Sequence, residues 1–318
     1  MNSRVFFAYD LHGSELVLSK LVNAPQFYGV KRVVIGGDIT GKVLVPIIKE
    51  DGKYNLELFG EKKRVKESGL EEVKREIRMN GQYYRIMDRQ QYESIKDDEK
   101  AIKKLFLEEM LLSLEQFLQK ARSKLKPVGA QLYIIPGNDD YEEVAAYLKK
   151  NSDETVVEFD KGIADMDGYQ LLGYGYSNRT PWNTPRERDE DTIYKELKSI
   201  SKKADPEKSI FVIHVPPYQT KIDMAPELTG DMKQKVSSGY MHMRPVGSTA
   251  VRRILGESGP IAGLHGHIHE SSGTDSIDVG NVHVPVFNPG SDYSSGILDG
   301  VIIDFEGNGV KRFNFTRG

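Results

Sequence analysis

The sequence predicts an α/β protein in which two β-sheets pack face to face and helices cover the outside. Three observations indicate this fold. Over the first two thirds of the chain, short apolar runs alternate with helical segments, which favours parallel strands covered by helices. Beyond about residue 260, apolar runs follow one another with no room for helices between them. At 318 residues, the chain is long enough for one large domain with a sizeable core.

The strand–helix alternation is clearest near the N-terminus, where apolar runs at residues 5–9 and 32–35 flank a helical stripe at 14–23. Similar runs recur at 131–135 and 210–213. In the last part of the chain, Gly, Asn, Asp and Ser separate four more runs, at 261–264, 282–287, 301–305 and 310–315. We expect these four strands to be antiparallel neighbours.

Residues 43–97 interrupt this pattern. Asp51-Gly52 is a turn signal between apolar runs at 43–48 and 54–59, so we expect a hairpin here. A short helix is predicted near residues 71–79 and a long one at 98–123, whose leucine stripe is typical of core packing. We therefore expect a single domain over residues 1–318, with 43–97 as an insertion or small cap within it.

Composition excludes several classes of site. The chain has no cysteine, which rules out disulfides, thiolate catalysis and Cys-ligated metals. No apolar stretch approaches the ~20 residues of a membrane span, so we expect a cytoplasmic protein without membrane contact. The net charge of −3 gives no global reason for binding nucleic acid, although a local basic groove stays open. Composition leaves the oligomeric state undetermined.

Polar motifs come directly after five of the predicted strands. They are Asp10-Leu11-His12, Gly36-Gly37-Asp38, Gly137-Asn138-Asp139-Asp140, His214, and Gly266-His267-Ile268-His269. In a mainly parallel sheet, the carboxyl ends of the strands face one crevice, where ligands bind. Because alternate residues of an extended segment share a face, we expect Asp10 with His12, and His267 with His269, to point into it together.

The motifs together indicate a metal site, although each alone is commonplace. They bring two carboxylates, four imidazoles and one amide oxygen to the same edge of the fold. This nitrogen and oxygen set suits Mn, Fe, Zn, Co or Ni better than Mg or Ca. Four of the seven histidines fall in these motifs, which is hard to explain by packing.

The ordered motifs resemble those of the calcineurin-like metallophosphoesterases, whose pattern is D-x-H, G-D, G-N-H-D/E, H and G-H-x-H on a two-sheet α/β sandwich. The general resemblance covers residues 1–42 and about 126–305. A narrower resemblance is to the Icc-related predicted phosphoesterases. It rests on residues 177–187 (SNRTPWNTPRE), on Val246-Gly247-Ser248 with Arg252-Arg253, and on Asn288-Pro289-Gly290-Ser291.

This resemblance implies a two-metal phosphoesterase that acts on a small phosphoester. Asp10, His12 and His269 would hold one metal ion; Asn138, His214 and His267 would hold the other; Asp38 would bridge them. A hydroxide shared by the two metals would attack phosphorus in line with the leaving oxygen. Asp38, Asn138, His214 and the position of Asp139 would take part in catalysis. Glycines 37, 137 and 266 would keep Cβ atoms away where the backbone approaches the site.

One position departs from the family pattern. Asp139 stands where the family usually has a histidine that assists the leaving group. A carboxylate beside an anionic phosphate is repulsive unless it is protonated or turned away, and it acts as an acid only with a strongly raised pKa. We therefore expect phosphodiesters to be favoured over alkyl monoesters. Members of the narrower branch also lack this histidine.

Several other polar residues have two readings. His265 supports either the metal site or strand packing, whereas His242 and His283 are expected at the surface or in packing. Asn178, Arg179 and Asn183 belong either to a substrate loop or to an ordinary surface loop, and Arg252 and Arg253 to a solvated helix face.

Three other functions fit less well. Amidohydrolases carry His-x-His on the first strand and metallo-β-lactamases carry a mid-chain His-x-His-x-Asp-His, whereas this chain begins with Asp-x-His and ends with His-x-His. The alternative from another class is a non-catalytic metal-binding scaffold for protein interaction on the same fold. Loss of metal ligands would mark such a scaffold, and none of the seven proposed ligands is missing.

Overall fold

The computed structural model describes residues 1–237 and 240–318. In this part of the chain the helices are α1 Glu15–Tyr28, α2 Glu67–Met79, α3 Arg89–Ile95, α4 Glu99–Leu125, α5 Glu142–Lys150, α6 Glu190–Ser201 and α7 Thr249–Ser258. The strands are β1 Asn2–Ala8, β2 Arg32–Ile35, β3 Leu44–Glu50, β4 Lys53–Leu58, β5 Glu61–Lys66, β6 Tyr83–Asp88, β7 Gln131–Ile134, β8 Val156–Glu158, β9 Ile163–Met166, β10 Tyr169–Tyr174, β11 Ser209–Ile213, β12 Met224–Pro226, β13 Val236–Ser237, β14 Tyr240–Met241, β15 Met243–Pro245, β16 Ala262–Leu264, β17 Gly273–Val279, β18 Val282–Asn288, β19 Asp299–Glu306 and β20 Gly309–Arg317.

Two six-stranded mixed sheets form the body of the protein. The first has the order β20-β19-β1-β2-β7-β8 and the second the order β17-β18-β16-β11-β10-β9. In the first sheet β1, β2, β7 and β8 are parallel, and in the second β10, β11, β16 and β18 are parallel. The predicted two-sheet α/β sandwich is therefore confirmed.

Alternation along the central strands produces the layers. On β1, Val5 and Phe7 face the core between the two sheets, whereas Phe6 faces the helical layer that contains α1 and α4. A third core lies on the far side of the second sheet, beneath α6 and α7. Because both faces of the central strands are covered, these strands are apolar without interruption, as expected for buried parallel strands.

Residues 43–97 form a separate small unit. Its four-stranded sheet has the order β5-β4-β3-β6 and packs against α2 around its own apolar core. The predicted hairpin joins β3 to β4, with Glu50 opposite Lys53 and with Asp51 and Gly52 both at positive φ. Two positive φ values are what a two-residue hairpin turn requires. Strands β5 and β6 were not predicted, because their residues are mostly charged or half-exposed.

The predicted helices are present, with longer ends. Helix α1 runs to Tyr28 and is closed by Gly29 in the left-handed conformation, whereas the apolar stripe had predicted an end near residue 23. Asp98 caps α4. Met110, Leu114 and Leu118 of α4 are buried against the first sheet, so its stripe is core, as predicted.

The expected antiparallel arrangement of the last strands is wrong in two respects. Strand β16 pairs in parallel with both β11 and β18. Strand β17, which was not predicted, is the edge strand of the second sheet and pairs with β18. Strand β18 buries Val284, Val286 and Phe287, whereas β17 buries Ile277. Strands β18 and β19 also belong to different sheets. The antiparallel pairing of β19 with β20 is confirmed.

Candidate metal centre

The five polar motifs meet at one end of the sandwich. They follow β1, β2 and β7 in the first sheet and β11 and β16 in the second. All five strands are parallel to a neighbour within their sheets, so their carboxyl ends lie on the same side. Both sheets therefore contribute residues to a single cluster, as the sequence predicted.

The turn that carries the first motif is not extended, which corrects the expected alternation. Strand β1 ends at Ala8 and β16 at Leu264. Asp10, His12 and His267 have positive φ values of 55°, 41° and 68°, and Asp38 has 49°. Non-glycine residues adopt this left-handed region at a cost of roughly 1–2 kcal/mol each, and such residues cluster at functional sites.

Backbone hydrogen bonds hold these strained turns together. The amide of Asp10 donates to the carbonyl of Gly37 at 3.1 Å, and that of His12 to the carbonyl of Asp38 at 2.9 Å. The turns after β1 and β2 are thereby joined directly beside the cluster. A sequence pattern with period two could not predict this geometry, because it depends on contacts between distant turns.

Two glycines are required where the backbone lies against site side chains. A Cβ on Gly137 would lie 2.1 Å from Oδ1 of Asp38, and one on Gly37 would lie 2.4 Å from Nδ1 of His214. Gly266 instead makes room for the ring of Tyr9, which a Cβ there would approach to 2.5 Å.

Asp10, His12 and His269 form a first group whose ligand atoms lie within 4.8 Å of one another. The Nε2 atoms of His12 and His269 are 3.2 Å apart. Two imidazole nitrogens bound to one tetrahedral zinc ion at ~2.0–2.1 Å would be roughly 3.3 Å apart. Asp10 and His12 are buried, and the side chain of His269 is 29% exposed.

Asn138, His214 and His267 form a second group. Oδ1 of Asn138 lies 2.9 Å from Nε2 of His214 and 2.7 Å from Nδ1 of His267. His214 donates from Nδ1 to the carbonyl of Gly36 at 3.1 Å, which directs Nε2 into the cluster. Such a hydrogen bond from the other ring nitrogen is usual for metal-binding histidines.

Asp38 lies between the two groups. Its Oδ2 is 3.8 Å from Nε2 of His12 and 3.5 Å from Nε2 of His214. Its Oδ1 accepts a hydrogen bond from the amide of Asp139 at 2.9 Å. The carboxylate is buried and is within reach of ligand atoms from both groups.

Charge in the cluster is arranged for ligation. Burial disfavours the ionised form of Asp38, but His214, His12 and Lys42 together outweigh that effect and set the pKa of Asp38 well below its ordinary value. Burial lowers the pKa of His12 far below its usual range and that of His267 to about 3, the latter helped by His214. Both rings are therefore neutral, as metal ligation requires.

The residues present fit metal ions. One buried polar atom of the first group, Oδ1 of Asp10, has no hydrogen-bond partner among the described residues. Unpaired buried polar atoms are costly, and a bound ion nearby is a common explanation for them. Together with the donor types and distances, this unpaired oxygen indicates that these buried Asp and His groups can hold metal ions.

Asp139, the residue that departs from the family pattern, pairs with a residue that was not singled out from the sequence. Its carboxylate forms an ion pair with Nζ of Lys42, the residue that precedes the insertion. Burial, together with the charge of Asp38, raises the pKa of Asp139 to about 7 despite Lys42. No spacing rule links positions 42 and 139, so only the fold could reveal the pair.

Asp140 was noted as part of a motif, but its role could not be inferred. Its fully buried carboxylate accepts hydrogen bonds from the amides of Gly137, Ile39 and Thr40 at 2.8, 3.1 and 2.9 Å. It also accepts one from the Thr40 hydroxyl at 2.6 Å. Asp140 therefore fastens the turn that carries Asp38 to the turn that carries Asn138.

Arg186 supports the turn that carries Asn138. This residue was not singled out from the sequence. Its side chain is fully buried, pairs with Asp160, and donates to the carbonyl of Gly137 at 3.1 Å. Its guanidinium carbon lies 4.1 Å from the centroid of the Tyr176 ring. Arginines are seldom buried without such pairing, so this network fixes the loop over residues 177–188 against the site.

His265 is tied to the strand that carries His214. Its Nδ1 lies 2.8 Å from the carbonyl oxygen of Ile213 and 3.1 Å from that of Val215. It is fully buried and is not among the residues that line the cavity described below. It therefore supports the position of His214 through the backbone.

The other residues with two readings are divided by the structure. Asn178 and Arg179 lie beside the cluster, whereas Asn183 is exposed and His283 pairs with Asp278 at the surface. His242 is exposed, Arg253 pairs with Glu257, and Arg252 donates to the carbonyls of Tyr218 and Gln219.

A cavity of about 710 Å³ opens directly beside the cluster. Asp38, Asn138 and His267 lie at its floor together with Asp139 and Lys42. Its walls come from the loop over residues 178–184 and from residues 225–234 and 244–249. From residues 43–97, no side chain is among those that line it.

Comparisons with known proteins support the fold and leave the family open. No family model matches the chain. The uncharacterized protein MJ1162 of Methanocaldococcus jannaschii is 31% identical over 150 residues, which is 46% of this chain and 60% of that protein. The chain thus spans about 60% of the length of this curated relative.

Solved structures show the same fold at low sequence identity. One crystal structure superposes with a TM-score of 0.55 at 15% identity, covering 100% of this chain and 99% of that chain. The crystal structure of TT1561 of Thermus thermophilus gives a TM-score of 0.48 at 13% identity over 100% of this chain and 99% of its own, too low to support a conclusion.

Among the described residues, none of the helices has the length and apolar character that a membrane-spanning helix requires.

Proposed function

We propose that this protein is a phosphoesterase that works with two divalent metal ions. One ion would be held by Asp10, His12 and His269, and the other by Asn138, His214 and His267. The observation that carries the proposal is the position of Asp38. Its carboxylate oxygen lies 3.8 Å from a nitrogen of the first group and 3.5 Å from a nitrogen of the second, as a shared ligand would. Carboxylates are the usual bridges between paired catalytic metal ions.

The bound ions would activate water, orient the phosphate and neutralise its charge. The chain's own residues prepare the site for this. Asp38 stays ionised because of its histidine neighbours, and the Gly36 carbonyl fixes the ring of His214. Lys42 places a positive charge at the cavity floor, beside the carboxylate of Asp139. This pair lowers the repulsion that Asp139 alone would exert on a phosphate.

We infer that phosphodiesters are better substrates than alkyl monoesters. The cavity floor carries the carboxylates of Asp38 and Asp139, and a diester brings one negative charge where a monoester brings two. The nitrogen and oxygen ligands favour a borderline metal such as Mn, Fe, Zn, Co or Ni.

The test is metal analysis combined with turnover of bis(p-nitrophenyl) phosphate in the presence of Mn²⁺. We expect about two metal ions per chain and metal-dependent cleavage. Asp38→Asn should lose turnover by at least about 10³-fold while its circular dichroism spectrum stays unchanged, because a ligand shared by both ions has no substitute. Asp191→Asn, at the exposed start of α6, is the matched control and should remain fully active.

The competing function is the non-catalytic scaffold. It would be favoured by bound metal without cleavage of any phosphoester. Near wild-type turnover of Asp38→Asn at saturating Mn²⁺ would overturn the two-metal assignment instead.

A further inference from the structure

The cavity beside the metal cluster is much larger than a phosphate group needs. Its volume of about 710 Å³ lies within the roughly 300–1,000 Å³ typical of sites that enclose a whole small-molecule ligand. The cluster occupies only its floor. The walls must therefore contact other parts of the substrate, and their chemistry indicates which parts these are.

Two arginines on the walls have no partner in the described part of the chain. Arg179 comes from the loop over residues 178–184, and Arg244 comes from β15. Neither guanidinium forms an ion pair within 4.0 Å or donates a hydrogen bond to a described residue. In contrast, Arg186 and Arg188 of the same loop region both reach Glu142.

Neither acidic side chain of these walls forms an ion pair with the two arginines. Glu190 accepts hydrogen bonds from the Ser248 hydroxyl and the Ala250 amide at 2.6 and 2.8 Å, so its carboxylate is used at the start of α7. Glu270 is exposed at the rim. Two unpaired guanidiniums that line one cavity are suited to an anion, and arginine binds both carboxylate and phosphate in bidentate fashion. Because the proposed substrate is a phosphoester, we take the anion to be a phosphate.

Trp182 forms an apolar part of the same wall. Its side chain is 66% exposed and lines the cavity, although a tryptophan normally buries most of its large surface. An exposed indole beside guanidinium groups is suited to stacking on a flat aromatic ring, such as a nucleobase, which is worth about 1–3 kcal/mol per base.

The loop that carries Trp182 and Arg179 is fixed relative to the metal cluster. The amide and hydroxyl of Thr184 both donate to the buried carboxylate of Glu187 at 2.9 Å. Thr184 also accepts a hydrogen bond from the side-chain amide of Asn138 at 2.8 Å. Asn178 donates to the carbonyl of Val246 at 3.2 Å, which ties the loop to the segment that follows β15. A group bound at Trp182 would therefore lie at a set distance from the reacting phosphorus.

We propose that the walls form a nucleotide subsite in which Trp182 stacks on the base and Arg179 and Arg244 bind a second phosphate. The inference rests on the proposed function and narrows it. The substrate class is a small nucleotide phosphodiester that carries an additional phosphate. The metal cluster takes the reacting diester, and the subsite selects for the rest of the molecule.

Trp182 is the single tryptophan of the chain, so fluorescence excited beyond the absorption of tyrosine reports on this subsite. The metal-loaded protein is titrated with adenosine 5′-monophosphate and with adenosine 3′,5′-bisphosphate. Both should quench the fluorescence through stacking. The bisphosphate should bind at least about tenfold more tightly, because a single hydrogen bond to a charged group stabilises a complex by about the free energy that a tenfold change in dissociation constant requires.

The double variant Arg179→Met with Arg244→Met should bring the two dissociation constants within about twofold of each other. Arg253→Met is the matched control; it removes an exposed arginine of α7 that pairs with Glu257, and it should keep the tenfold preference. Equal affinities in the wild type, a preference that survives in the double variant, or binding without quenching would each overturn the subsite.

Turnover separates this inference from the proposed function. Cleavage of bis(p-nitrophenyl) phosphate, which has no second phosphate, measures the proposed function alone, and the control variant Arg253→Met should cleave it at the wild-type rate. If the wild type shows the binding preference yet cleaves no diester, the subsite stands and the phosphoesterase proposal is wrong. If it cleaves the aryl diester without any binding preference, the subsite alone is wrong.

Discussion

At the scale of single residues, Asp139 is the position that, under the proposed function, would lie nearest to the question of leaving-group assistance. The resemblance placed a histidine at this position, and the chain has instead a carboxylate paired with Lys42. General acid assistance is typically worth about 10²–10⁴-fold in rate. An aryl leaving group needs little of this help, whereas an alkyl leaving group needs most of it.

We therefore predict that Asp139→His raises monoesterase activity relative to diesterase activity. An imidazole titrates near neutrality and can protonate the leaving oxygen. The ratio of kcat/KM for p-nitrophenyl phosphate and bis(p-nitrophenyl) phosphate measures the effect. Asp139→Asn removes the carboxylate without adding an acid and is the control. An unchanged ratio in Asp139→His, with metals still bound, would mean that this side chain points away from the leaving group.

His214 gives the metal affinity a pH dependence. In the metal-free protein burial would lower its pKa, but Asp38, Asp10 and the Gly36 carbonyl together outweigh burial and raise that pKa to about 9. The ring is therefore protonated below this pH, and it must lose its proton to bind a metal. Metal affinity should consequently rise as pH increases toward 9 and level off above it.

We predict that apparent Mn²⁺ affinity increases by roughly fifteenfold between about pH 7.5 and pH 9, with about one proton released per chain at the lower pH and about half a proton at the upper. This window avoids the titration of Asp139, whose pKa is about 7. Calorimetry in buffers of different ionisation enthalpy counts the protons. His214→Gln should bind metal more weakly and with a flatter pH profile. A pH-independent affinity in the wild type would contradict the assignment of His214.

At the scale of elements, the inserted unit contacts the backbone of the turns that carry the site residues, away from the cavity. The amide of Gly41 donates to the hydroxyl of Tyr83 at 2.7 Å, and the hydroxyl of Ser14 donates to the carbonyl of Met79 at 2.7 Å. A Cβ on Gly81 would lie 2.0 Å from the carbonyl oxygen of His12. The unit thus supports the turns of His12 and Asp38. That it is a cap which shapes substrate choice stays a prediction.

We predict that Tyr83→Phe destabilises the protein by about 1–3 kcal/mol and weakens metal binding, because the buried amide of Gly41 loses its acceptor. Tyr84→Phe is the matched control. It removes a hydroxyl of the same strand that bonds Arg78 at 3.2 Å, away from the site. Urea unfolding and Mn²⁺ titration measure both effects. If the two variants behave alike, the inserted unit does not support the site.

At the scale of the whole molecule, the cluster joins the two sheets. Asp10, Asp38 and Asn138 follow strands of the first sheet, and the histidines 214, 267 and 269 follow strands of the second. Bound ions would therefore link the two halves of the sandwich. A ligand that binds only the folded state stabilises it by mass action.

We predict that saturating metal raises the Tm and that a chelator lowers it. Free metal at 1,000 times its Kd adds about 4 kcal/mol to the free energy of unfolding, which corresponds to a shift of several degrees. Calorimetry with Mn²⁺ and with EDTA measures the shift. Asp38→Asn should show a smaller shift. Equal Tm values for the wild type in both conditions would argue against metal sites that involve both sheets.

Local patterns predicted much of this architecture. The apolar run at 32–35 coincides with β2, and Asp51-Gly52 forms the expected hairpin turn, because turn chemistry and strand polarity act over a few residues. The site residues could be selected in the same way, since each polar motif follows an apolar strand. Strand β17 and the parallel pairing of β16 could not be predicted, because which strand takes an interior place depends on burial against distant elements.

The sequence by itself determined the fold class and the residue types at the ends of five strands. Tertiary structure alone decided how they meet. The left-handed turns at Asp10, His12 and His267 depend on hydrogen bonds and packing between distant turns, and the pairs Lys42–Asp139 and Arg186–Asp160 join positions without regular spacing. Arg179 and Arg244 likewise line the same cavity as Trp182 only because two segments that are far apart in the chain lie beside it. Periodicity reports the local environment of each residue, whereas a binding site is made of contacts between residues far apart in the chain.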